Sequence, residues 1–252
     1  MDVKGCIKMK MDKKLVKLMD IPFINIAKKD LLNNNLYPSL DKRQKCYVVT
    51  ANPEIVMKTR EDASYKKMVK KADYIVPDGA GIVMASKLQK EPIQERVAGY
   101  DLMLDLLAYA DKHGLSCYFL GAKEHVNEKL VSKVKEKYPD LTLAGHHHGY
   151  FSIDDPSIVN DVANSNPDLI FVALGSPRQE AWITQHMDKF TKGLFMGVGG
   201  SFDVLAGEVK RAPEGWINLN LEWLYRLLKQ PFRWRRILKA VEFMVRIFLK
   251  KK

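Results

Sequence analysis

Two short segments carry residue types that could move a proton or hold an anion. In Pro77-Asp78-Gly79-Ala80-Gly81 an acid stands directly after the apolar run Tyr74-Ile75-Val76, and small residues follow it. Glycines beside a carboxylate let backbone and ligand approach closely. A carboxylate placed there can take the proton of a hydroxyl as a general base. The same spacing also allows it to cap a helix that starts near Gly81. In Glu95-Arg96-Val97-Ala98-Gly99 the planar fork of Arg96 can clamp an anion or close a surface ion pair. Other chemistries lack their signatures. There is no GxxxxGK[ST] phosphate loop, no GxSxG elbow and no DxD. Gly197-Val198-Gly199-Gly200-Ser201 lacks the full dinucleotide-binding spacing. His146-His147-His148 is the one dense His cluster, but neighbours on a strand point to opposite faces, so it reads as a surface strand end. Asp154-Asp155-Pro156 reads as a turn and helix cap. Chemistry without a metal or a resident cofactor is expected.

The elements that must position these residues alternate. β-type runs at 46–50, 74–76, 116–120, 169–174 and 194–198 are separated by helical stretches, the pattern of an α/β fold with a largely parallel sheet. Leu169-Ile170-Phe171-Val172-Ala173-Leu174 is apolar throughout, as a strand covered on both faces must be. Asn52, Pro53 and Glu54 form a helix start, with a cap, a proline in the first turn and an acid behind it. Asp101 opens a helix that Gly114 ends, and 123–138 is a charged amphipathic helix. The runs end in small and polar residues: Thr50-Ala51-Asn52, Asp78-Gly79, Gly121-Ala122, Gly175-Ser176 and Gly199-Gly200-Ser201. Ligands of open α/β sheets bind beyond the carboxyl ends of the strands, where helix N-termini favour phosphate. Each such turn alone is ordinary; five together point to a phosphorylated ligand.

The chain has 252 residues, and this length suits one large domain. Its three cysteines, Cys6, Cys46 and Cys117, form no CxxC pair, which argues against a disulfide scaffold and suits a reducing compartment. No apolar run approaches the roughly 20 residues of a membrane span, and no signal-peptide core is apparent in the first twenty residues. The formal charge of +11 is unevenly placed: residues 210–252 carry +9, residues 1–20 carry +3 and the rest sums to −1. A local basic patch implies a local anionic partner. Residues 1–20 read as a flexible terminus, 21–212 as the α/β domain and 213–252 as a basic amphipathic appendage divided at Pro231. Before Pro231, Ile217, Leu221, Leu224 and Leu228 form one stripe; after it Trp234, Ile237, Leu238, Val241, Val245 and Phe248 form another. Phe243 and Ile247 intrude on the opposite, basic side. Such a helix suits the interface of an anionic bilayer, or it packs on the core or on a neighbouring subunit in a homo-oligomer. Nucleic acid is disfavoured as a partner, because the body is neutral and no nucleic-acid-binding motif is present. A nicotinamide-dependent oxidoreductase is disfavoured by the incomplete glycine spacing.

In order along the chain, Thr50-Ala51-Asn52-Pro53-Glu54, Pro77-Asp78-Gly79-Ala80-Gly81, Glu95-Arg96-Val97-Ala98-Gly99-Tyr100-Asp101, Gly175-Ser176-Pro177-Arg178-Gln179-Glu180, Gly197-Val198-Gly199-Gly200-Ser201-Phe202-Asp203, Arg211-Ala212-Pro213 and Leu221-Glu222-Trp223-Leu224-Tyr225-Arg226 resemble the WecG/TagA/CpsF glycosyltransferases over roughly residues 20–240. The resemblance implies an inverting, metal-independent, Rossmann-like enzyme. It would move N-acetylmannosamine from a UDP donor to polyprenyl-diphosphate-linked N-acetylglucosamine at the cytoplasmic membrane face, as in the linkage unit of wall teichoic acid. An N-acetylmannosamine uronate or a glucose-type donor fits the family as well. By motif, Asp78 matches the catalytic base, with Arg96 and Thr50 beside it. Asn52, Gln179, Gly175 and Ser176 match the pocket, Tyr150 and Asp203 the uridine site, and Arg226, Arg233 and Arg236 the arginines that reach the diphosphate.

Overall fold

A computed structural model describes residues 15–219, 221–231 and 234–250. The chain opens with β1 (Leu15–Leu18) and β2 (Ile21–Ile24), then α1 (Lys28–Leu31) and α2 (Tyr37–Asp41), joined by a π-helical stretch (Leu32–Leu36). β3 (Lys45–Ala51), α3 (Pro53–Glu61), α4 (Ala63–Lys70) and β4 (Tyr74–Pro77) follow. Next come α5 (Ala80–Leu88), α6 (Gly99–Lys112), β5 (Ser116–Gly121), α7 (Glu124–Lys137), β6 (Thr142–His147), α8 (Pro156–Asn164), β7 (Leu169–Ala173) and α9 (Arg178–His186). The last are β8 (Gly193–Gly197), α10 (Ser201–Leu205), α11 (Glu214–Asn218), α12 (Glu222–Lys229) and α13 (Trp234–Lys250).

The expected α/β fold holds. Six strands form one parallel sheet in the order β4-β3-β8-β7-β5-β6. Alternation along each strand sends side chains to two cores. Leu169 and Phe171 of β7 join Leu194 and Met196 of β8 beneath α6 and α7. Ile170, Val172 and Phe195 face the other way, with Val56 of α3, Tyr65 of α4 and Trp182 of α9. Every residue of β7 and β8 is buried, which is why those runs carry no polar alternation. Because the strands are parallel, the carboxyl ends of β3, β4, β5, β7 and β8 open on one edge.

The expectation of a flexible terminus over 1–20 is corrected for its last six residues, while residues 1–14 lie outside the described ones. β1 pairs antiparallel with β2, and Leu18, Ile21 and Phe23 are fully buried. The connecting residues, Met19 and Asp20, both have positive φ, 48° and 67°. A two-residue hairpin loop of this hand favours Asn and Gly; Met-Asp hides it. The helix expected to open at Asp101 begins at Gly99, where a Cβ would come within 2.8 Å of Thr50 Oγ1. The lack of a side chain therefore lets α6 start against the end of β3. The single stripe expected before Pro231 is two helices, α11 and α12, separated where Leu221 N–H reaches back to Trp216 O at 2.8 Å.

The tail folds back onto the domain. Arg211 grips Asp101 of α6 through both nitrogens, at 2.7 and 2.8 Å, with its guanidinium 4.8 Å from the Tyr100 ring centre. α13 packs against α3 and α5. The two residues that broke its amphipathic pattern, Phe243 and Ile247, are the buried ones and belong to the core beneath the sheet. The apolar stripe they oppose faces outward: Leu238, Val241, Val245 and Phe248 are each more than half exposed.

Candidate active site

Asp78 follows β4 directly. Its N–H donates to Ala51 O (3.0 Å), so β3 and β4 end level and bring Thr50, Asn52 and Asp78 to one edge. Gly79 takes φ +85° and caps α5 without any side-chain bond, so Asp78 is not the helix cap that its spacing allowed. Its carboxyl instead lies near the N–H of Gly99 at the start of α6, which favours the ionised form. Burial pushes the Asp78 carboxyl up to about 6; Arg96 opposes the rise, Glu222 adds to it, and Gly99 N–H and Arg226 oppose it further. A carboxyl poised there is ionised at neutral pH yet basic enough to accept a proton.

Arg96 is not the surface pair its alternative reading implied. Its side chain is mostly buried, and its Nη1 lies 3.9 Å from Glu222 Oε2. The other oxygen of Glu222 pairs with Arg226, one turn further along α12, at 2.5 Å. The tail thus brings Arg226 to Asp78. Arg236 does not join them: its Nε lies 3.6 Å from Glu54 Oε2 in the first turn of α3. Arg233 lies outside the described residues.

The β7 and β8 ends form a second, internally bonded cluster. Gln179 is buried; its Nε2 donates to Glu180 Oε1 (2.8 Å) and its Oε1 accepts Gly199 N–H (3.1 Å). Its amide therefore ties the first turn of α9 to the loop after β8. Ser176 Oγ meets Tyr65 OH at 2.6 Å, and Ser176 O accepts Lys58 Nζ at 3.4 Å. Gly175 takes φ +72° and its O accepts Gln179 N–H. Asn52 Oδ1 caps α3 at Ile55 N–H (3.0 Å), as expected. Asp203 sits in the first turn of α10, beside the Gly199-Gly200 loop. Tyr150 is 70% exposed on the loop after β6. Arg178 holds that loop on both sides of Tyr150, donating to Phe151 O (2.8 Å) and Gly149 O (3.4 Å).

The His cluster does not converge: His146 bonds Asn127 Oδ1, His147 bonds His148 O, and His148 accepts Tyr150 N–H. Among the described residues no group of three or more His, Cys, Asp or Glu is placed to hold a metal ion. Three residues that shape the site had no assigned role from sequence: Glu222, Arg178 and Glu180. Glu222 carried a readable signal, an acid four residues before Arg226 inside a basic segment. Arg178 acts through long-range contacts that sequence spacing does not encode, and Glu180 through the amide of its neighbour Gln179.

Residues 16–252 match the Glycosyl transferase WecG/TagA/CpsF family. The chain belongs to this family. A relative from Bacillus spizizenii is 42% identical over 82% of this chain and 80% of its own length. Relatives from Bacillus subtilis and Staphylococcus aureus are each 37% identical over 92% of this chain and 91% of their own. All three carry the name N-acetylglucosaminyldiphosphoundecaprenol N-acetyl-beta-D-mannosaminyltransferase. This glycosyltransferase family member thus brings Thr50, Asn52 and Asp78 to one sheet edge, with Arg96 and Arg226 acting on the carboxylate.

Proposed function

We propose that the chain transfers N-acetylmannosamine from UDP-N-acetylmannosamine to undecaprenyl-diphosphate-linked N-acetylglucosamine, with inversion and without a metal. The observation that carries this reading is one carboxylate, Asp78, flanked by Arg96 and Arg226 at the open strand ends. Asp78 takes the proton of the acceptor hydroxyl as that oxygen bonds to the anomeric carbon, and the bond from that carbon to UDP breaks on the opposite face. The departing diphosphate gains negative charge, which guanidiniums and helix N-terminal amides meet. The names of relatives aligned over nine-tenths of this chain support the sugar moved and the acceptor. The glycine turns at Gly175 and Gly199, with Asp203 and Tyr150 beyond them, suit the uridine diphosphate.

The outward stripe of α13 supports a peripheral position on the cytoplasmic face of the membrane, since the acceptor is lipid-linked. No helix among the described residues is long and apolar enough to cross a membrane. α13 also carries exposed Arg235, Arg236 and Arg246, and each Lys or Arg near an anionic surface contributes about 1 kcal/mol. Incubation with a panel of UDP-sugars and a short-chain lipid-diphosphate N-acetylglucosamine, with the product identified by mass, tests the reading. N-acetylmannosamine should be the sugar moved, and EDTA should leave the rate unchanged. Transfer of a different sugar overturns the donor; a rate lost to EDTA and restored by a divalent ion overturns the metal-free chemistry.

A further inference from the structure

We propose that Glu222 is a positioning residue of the transfer site, its single carboxylate holding Arg96 and Arg226 together and fixing α12 beside Asp78. The inference rests on the function proposed above and deepens it. Glu222 is one of three acids in a segment of residues 210–252 that carries +9, and its side chain is only 14% exposed. One oxygen lies 2.5 Å from Arg226 Nη2 and the other 3.9 Å from Arg96 Nη1. A helical pair four residues apart explains the first contact alone. The second reaches a segment more than a hundred residues away in the chain. Two guanidiniums drawn to one anionic reaction centre repel each other until something negative lies between them. Glu222 supplies that charge before any diphosphate arrives.

Among the described residues, few charged groups act on this centre. Asp78 faces Arg96 from the segment before α6, Glu222 and Arg226 from α12, and the Gly99 N–H. Glu222 faces the same two arginines and also acts on Arg211, whose own fork is closed on Asp101. Removing the Glu222 charge takes a negative neighbour from Asp78 and frees both arginines toward it. Both effects make Asp78 easier to ionise. A residue that only pinned α12 in place would leave the proton affinity of Asp78 untouched.

The experiment compares wild type, Glu222→Gln and Glu222→Asp with UDP-N-acetylmannosamine and lipid-diphosphate N-acetylglucosamine, as kcat and as kcat/KM against pH. Glu222→Gln should lose about 10²-fold in kcat, the scale of a misplaced reacting group, and its acid limb should move to lower pH. Glu222→Asp keeps the charge on a shorter arm, so its limb should stay at the wild-type position with turnover between the two. A Glu222→Gln enzyme with an unmoved limb, or with turnover within about twofold of wild type, overturns the inference while leaving the function intact. A Glu222→Asp limb displaced as far as that of Glu222→Gln overturns it too. If Glu222→Gln does not fold, the limb of Glu222→Asp decides alone. A wild-type protein that makes no product is a different result and overturns the function first.

Discussion

Asp78 carries two opposing demands. Its folded-state carboxyl lies near 6, above its ordinary value of 3.8, mainly because burial disfavours the charge. The folded state therefore binds more protons than the unfolded one between about pH 4 and 6, and stability falls as pH rises through that window. Above it the ionised side chain costs the fold on the order of 3 kcal/mol. Asp78→Asn removes that charge, so it should raise the unfolding temperature at pH 7.5 by several degrees while cutting kcat by about 10²–10⁴-fold. Calorimetry and a rate assay on one preparation check both halves; a variant that is less stable, or fully active, contradicts the assignment. In the wild type, kcat/KM should decline as pH falls through about 6, as the base becomes protonated. An acid limb near 4 would mean that Asp78 is not the group titrating.

At the scale of elements, the strand ends and the last helix each depend on close contacts. Gly121 ends β5 with φ +124°, and a Cβ there would meet the backbone of Ala173 on β7 at 2.5 Å. Backbone cannot yield as a flexible side chain does. Gly121→Ala should therefore destabilise by about 2–5 kcal/mol, from overpacking and strain together, measured by denaturant unfolding; an unchanged midpoint would refute the contact. α13 has two faces with separate jobs. Phe243 is fully buried beneath the sheet, so Phe243→Ala should cost about 3–5 kcal/mol. Leu238, Val241 and Val245 point outward, so changing all three to Ser should leave unfolding nearly unchanged while weakening binding to anionic vesicles at least tenfold, by roughly the apolar area lost. Equal vesicle binding by the triple variant would remove the outward face from the membrane contact.

For the whole molecule, the uneven charge becomes a spatial arrangement. The +9 of residues 210–252 is partly spent inside the protein, on Asp101, Glu54, Glu61 and Glu222 of the body and tail. Arg235 lies exposed at the start of α13, whose outward stripe is apolar. Binding to anionic vesicles should fall steeply with ionic strength, because exposed charges are screened within about 10 Å at 0.1 M salt. Salt-insensitive binding would assign the contact to the apolar stripe alone. Deleting residues 216–252 strips Phe243 and Ile247 from the core, so the truncated protein should unfold at lower temperature as well as lose transfer. The appendage is part of the fold, and it carries Glu222 and Arg226 of the candidate site.

Sequence by itself determined the parallel α/β architecture, because buried strands such as Leu169–Ala173 must be apolar throughout and their ends must turn in small residues. It also singled out Asp78 as a candidate base, and identified the family through ordered motifs. It did not reveal the β1–β2 hairpin, whose Met19-Asp20 turn uses residues that turn statistics disfavour. It placed Phe243 and Ile247 as flaws in a membrane helix, and packing made them its anchors, since a periodic pattern shows which residues share a face but not which face meets the core. Gln179 is expected in the pocket, and its amide is engaged with its neighbour Glu180 and with Gly199. Only the tertiary structure brought Arg96, Glu222 and Arg226 around Asp78. Their separation along the chain leaves no periodic trace, and the proton affinity that matters for transfer is set by neighbours in space.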